Sequence, residues 1–131
     1  MSRRELREHI FKLLFRIEFN EEEEMPEQLR FYFEALEDLS EKDHNYMEEK
    51  FGKILEKLGD IDSQINKVSE GWQTGRMAKV DLTIIRLAYY EMKYDDTIPV
   101  GVAINEAVEI SKRFGGDDSP AFINGILAKL V

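Results

Sequence analysis

Residues 77–94 read MAKVDLTIIRLAYYEMKY and carry Val80, Leu82, Ile84, Ile85, Leu87, Ala88, Tyr89, Tyr90 and Met92, so apolar side chains point nearly all round a helix. Such a helix is buried on most sides. At about 100° per residue its interior charges, Asp81, Arg86 and Glu91, fall on three separate faces and leave no polar stripe for water. The stretch predicts the central post of an all-α domain, wrapped by amphipathic helices. Arg86, inside that post, requires a carboxylate partner, and Glu106 in the next helix is the candidate.

The remaining helices follow from periodicity and punctuation. Leu6, Ile10, Leu13, Leu14 and Ile17 form the stripe of a first helix over 3–19, and the acidic run 21–24, ending at Pro26, reads as a solvated loop. A second helix carries Leu29, Tyr32, Phe33 and Leu36 and stops near Leu39. Ser40 and Asp43 resemble a capping box for a third helix over 41–58, with Met47, Phe51, Ile54, Leu55 and Leu58 inward and Gly59 as its stop. A short fourth helix has Ile61, Ile65 and Val68, and Gly71 punctuates it. The hinge 72–76 then leads to the post, with Trp72 expected to anchor it by packing. Pro99 introduces a sixth helix over 100–114, Gly115-Gly116 ends it, and Asp118 or Ser119 caps a last helix with Ile123, Ile126, Leu127 and Leu130 inward. At 131 residues and 43% hydrophobic content, the expectation is one domain of about seven helices, in halves 1–70 and 71–131.

The formal net charge is -9, but it is unevenly spread. Residues 1–16 carry +3 and residues 17–50 carry -10. The basic N-terminal end could therefore meet phosphate although the whole chain is acidic. On the first helix Arg4, Phe11 and Phe15 share a second face with Arg7 at its boundary, a mixture of guanidinium and rings that suits single-stranded RNA. On this stretch alone, packing of the same rings under a second layer of helices is the plainer reading. Phe122 lies at the edge of the last helix's stripe, where either a ligand or the core can reach it.

No catalytic constellation is present. His9 and His44 have neither metal-ligand spacing nor a nucleophile beside them, and Gly115-Gly116 lacks the lysine and preceding strand of a phosphate loop. Asp95-Asp96 and Asp117-Asp118 read as turn and cap residues. There is no cysteine and no apolar run long enough to span a membrane. The expectation is a cytoplasmic, non-enzymatic protein with no cofactor, metal, membrane contact or small-molecule substrate.

Read together, IIRLAYYEM in the post, IPVGVAINEAVEISKRFG in the sixth helix and its approach, FINGIL in the last helix and RRELR at the start resemble the NusB family of bacterial transcription antitermination factors. The resemblance implies two three-helix-bundle-like halves sharing a core, and binding of the boxA element of RNA together with NusE, a ribosomal small-subunit protein, to modify RNA polymerase. It implies RNA contacts at Arg3, Arg4 and Arg7, at Phe15 where a tyrosine is common, and at Asp118 and Phe122; it places Asp81 against NusE. Two other readings are a related RNA-binding domain of the kind fused to RNA methyltransferases, which the end of the chain at Val131 disfavours, and a protein adaptor, which the acidic middle suits.

Overall fold

The computed structural model describes residues 1–131, and every regular element in it is helical. Six α-helices follow in order: α1 (Arg3–Phe15), α2 (Met25–Glu34), α3 (Glu41–Val68), α4 (Lys79–Tyr94), α5 (Val100–Phe114) and α6 (Ser119–Lys129). Single 3-10 turns at Arg16–Glu18, Glu22–Glu24 and Thr74–Arg76 lie in the connections. No helix is long and apolar enough to cross a membrane. The chain forms two compact units, Met1–Leu55 and Glu56–Val131, and the division falls inside α3.

In the first unit the stripe of α1 buries Ile10, Leu13 and Leu14 as its spacing requires, and Phe11 joins them at 3% exposure. Phe11 is therefore a core ring. The α-helix stops at Phe15, four residues before the expected end, and tightens into the turn Arg16–Glu18. The acidic run is a 3-10 turn rather than a plain loop: the Glu24 carboxylate accepts the Glu21 backbone N–H at 2.8 Å, and Pro26 then enters the first turn of α2. Those glutamates stay exposed. α2 ends at Glu34, earlier than Leu39, and Asp38 takes a left-handed φ of 54° in the turn that follows. At the start of α3 the Ser40 hydroxyl accepts the Asp43 N–H at 3.1 Å, and the Asp43 carboxylate accepts from the Met1 ammonium at 3.0 Å.

α3 is one helix of 28 residues where two were expected. Met47, Phe51, Ile54, Ile61 and Ile65 all lie at 1% exposure or less, on one stripe that runs unbroken past Gly59. Burying that stripe outweighs the roughly 1 kcal/mol that an interior glycine costs a helix. The helix ends where the Ser69 hydroxyl donates to the Ile65 carbonyl at 2.7 Å and Gly71 turns the chain with φ 77°.

In the second unit α5 and α6 pack on α4 and on each other. Ten successive residues of α4, 82–91, are buried, which is the all-round burial its composition calls for. Ala103 and Ala107 give α5 a narrow face with Ile110, and α6 contributes Ile123, Ile126 and Leu127. Arg86 meets Asp62 in a fork, Nε to Oδ1 at 2.8 Å and Nη2 to Oδ2 at 2.7 Å. The sequence pointed to Glu106 on the following helix. Asp62 is a partner the sequence did not point to, brought to α4 by the continuation of α3 past Gly59.

Candidate nucleic-acid interface

α1 starts on a reciprocal cap: the Ser2 hydroxyl accepts the Glu5 N–H at 3.1 Å and the Glu5 carboxylate accepts the Ser2 N–H at 3.4 Å. This fixes Arg3 and Arg4 in the first turn, where exposed backbone N–H groups and the helix dipole already concentrate positive charge. Guanidinium groups there oppose the helix dipole rather than complement it. Arg3 and Arg4 are exposed, whereas Arg7, the third arginine of the expected set, is 8% exposed. Arg16 has a structural role, with Nη1 donating to Gln28 Oε1 at 3.1 Å and the guanidinium 5.1 Å from the centre of the Tyr32 ring.

Phe15 is half-buried between two other rings. Phe11 stacks on it with centroids 6.2 Å apart, and Phe19 meets it edge-on at 5.0 Å. Phe11 is buried and Phe19 is 64% exposed, so the three rings step from core to solvent. Sequence reasoning passed over Phe19, although the repeat Phe11, Phe15, Phe19 at four-residue intervals was a signal for it.

The other expected RNA residues lie in the second unit. Gly115 ends α5 and the Ser119 hydroxyl accepts the Gly116 N–H at 3.0 Å, which turns the chain into α6. Asp118 occupies the cap position of α6 but its side chain makes no capping bond, so this exposed carboxylate is not committed to the helix start. One turn on, the Phe122 N–H donates to the Asp118 carbonyl at 3.1 Å, and the Phe122 ring is half-buried.

The ring beside Phe122 is Trp72, edge to face, at 6.1 Å between centroids. Trp72 was expected to anchor the hinge by packing; it packs on Phe122 and yet stays 53% exposed. The hinge is held as well by hydrogen bonds to Asn66, whose Oδ1 accepts the Thr74 N–H at 2.8 Å and whose carbonyl accepts from Gln73 Nε2 at 3.3 Å. Asp81 stands half-buried in the first turn of α4, where a carboxylate is favourable to the helix dipole.

The model of the NusB family matches residues 4–131. The chain is 53% identical over its whole length to a protein of Lachnoclostridium phytofermentans named transcription antitermination protein NusB, 99% of which is covered. It is 48% identical to the protein of the same name from Agathobacter rectalis, over 98% of each chain. Among solved structures, NusB of T. maritima superposes with a TM-score of 0.88 at 35% identity, over 99% of this chain and 90% of that one. The chain, matched by that family model over nearly all its length, belongs to the NusB family.

Proposed function

We propose that this chain is a cytoplasmic transcription antitermination factor that binds boxA-type RNA together with NusE and acts on RNA polymerase through that complex. The observation that carries the RNA reading is the exposure of Arg3 and Arg4 in the first turn of α1, inside the one basic stretch of an acidic chain. The names of the relatives support the antitermination role. Arg3 and Arg4 supply phosphate contacts, with Arg7 beside them on α1; Phe15 and Phe122 supply rings for stacking, and the Asp118 carboxylate accepts a hydrogen bond from a base amino group. Asp81 faces NusE, since a carboxylate turned to phosphate would be repelled.

The test is binding of a short boxA RNA at two salt concentrations, with and without NusE. The joint change Arg3→Ala, Arg4→Ala is expected to weaken binding and to flatten the log-log salt dependence by about 0.7 per lost contact. An unchanged slope would remove the arginines from the interface. Asp81→Lys is expected to weaken the complex with NusE and leave binding of RNA alone intact. Loss of RNA binding alone would reverse that assignment, and NusE binding without any RNA binding would favour a protein adaptor.

A further inference from the structure

A groove of about 890 Å³ opens in the first compact unit among α2, the turn at 35–40 and the start of α3. It contains none of the residues assigned to RNA. Its floor is apolar: Phe33 is buried and Leu29, Leu36 and Leu39 are half-buried. Its rim carries the exposed carboxylates of Glu34, Asp38 and Glu48. The cationic groups there are few. Arg30 lies 3.5 Å from Glu27, which lowers its effect on the rim, and the His44 Nε2 lies 3.2 Å from Glu48.

Two properties select an occupant. Leu29 and Phe33 stand one turn apart on α2 and Leu36 follows two residues past its end, so the apolar floor continues from α2 into the turn and offers a run of apolar side chains to the anchors of another helix. The groove also lies inside the stretch 17–50, which carries -10, so phosphate is repelled and a basic segment is attracted. We infer that the groove is the docking site for a cationic amphipathic helix of a protein partner. The partner seats two or three aliphatic side chains on the leucines and sets its lysines or arginines against Glu34, Asp38 and Glu48.

The test uses the full chain and a fluorescein-labelled leucine–lysine helix whose leucines recur at i, i+4 and i+7. A scrambled peptide of the same composition is the control. The patterned peptide is expected to bind at least tenfold more tightly than the scrambled one, with backbone amide shifts concentrated on residues 26–48. Charge reversal at the rim, Glu34→Lys with Asp38→Lys and Glu48→Lys, is expected to weaken it at least tenfold. Leu36→Glu is expected to weaken it as much although it adds negative charge; should that variant not fold, the three exposed rim positions still carry the test.

Equal binding of the scrambled peptide would reduce the groove to diffuse charge and overturn the inference. So would amide shifts confined to 21–24, or an unaffected rim variant. Self-association that Leu36→Glu abolishes would make a second copy of the chain the occupant instead. The rim variant is expected to keep boxA RNA binding, so the failure of this inference and the failure of the RNA reading are separate results.

Discussion

Trp72 and Phe122 stand edge to face, their centroids 6.1 Å apart and their planes inclined by 73°, with Trp72 the more exposed of the two. A base stacked on either ring would be steadied by the other. Phe122→Ala is therefore expected to lower boxA affinity about tenfold or more, and Trp72→Ala by a similar factor, since stacking is worth about 1–3 kcal/mol per base. The double variant should lose less than the sum, because the rings act as a pair. Fluorescence anisotropy with thermal melts decides: a Phe122→Ala protein that melts early but binds RNA normally would make the ring a packing residue.

The Arg86–Asp62 fork is largely enclosed, with side-chain exposures of 10% and 24%. Removing the carboxylate by Asp62→Ala takes both of these hydrogen bonds from a largely buried guanidinium and is expected to cost about 3 kcal/mol, the low end for a buried pair because Asp62 retains some water and Arg86 keeps a further interaction. Urea unfolding measures this directly. RNA affinity of the folded fraction should be unchanged.

Two glycines are expected to respond with opposite sign. A Cβ on Gly115 would lie 2.6 Å from the Ser119 hydroxyl oxygen and 2.9 Å from the Ser111 carbonyl, so Gly115→Ala must displace the α5–α6 turn and should cost about 1–3 kcal/mol. Gly59 sits exposed inside α3 with open space where a Cβ would go, and Gly59→Ala should add about 0.5–1 kcal/mol. Thermal midpoints of the two variants test both signs at once.

Burial, with Lys12 second, holds the pKa of His9 below its ordinary value of 6.5, and burial pushes the phenol of Tyr32 up to about 12. The phenol therefore keeps its proton near neutral pH and the hydrogen bond between Tyr32 Oη and His9 Nδ1, 2.6 Å long, is made by a neutral imidazole. Because the folded-state pKa is the lower one, the unfolded chain binds the proton first. The stability linked to His9 is full above about 6.5 and is lost as pH falls from there through the folded value. The melting temperature should drop between about pH 7.5 and about pH 5.5, and less so in His9→Gln. An upward-shifted His9 titration by NMR would refute it.

The all-α class and the buried post were legible because one helix with no polar stripe admits few environments, and the structure buries 82–91 as that pattern demands. Gly59 misled because punctuation is a local signal, whereas Ile54, Ile61 and Ile65 are each buried by tertiary packing. Asp62 went unassigned as a partner of Arg86 for the same reason: with α3 broken at Gly59, it had no fixed place. At the candidate interface, the residue types on α1 announced phosphate and rings, but their order could not tell the buried Phe11 and Arg7 from the exposed Arg3, Arg4 and Phe19. Trp72 packs on Phe122, but how far it stays exposed could not be read from the chain, because the hydrogen bonds to Asn66 that help hold the hinge are invisible in sequence.

The continuity of α3 also sets where the chain tolerates a change of length. One residue inserted anywhere between Phe51 and Ile61 would turn everything after it by about 100° about the helix axis, so Met47 and Ile65 could no longer share a side. The turns at 21–24 and 35–38, outside the α-helices, carry no such phase relation. Insertions and deletions among homologous chains are accordingly expected to collect in those turns and to spare the middle of α3, where only whole helical repeats preserve the stripe.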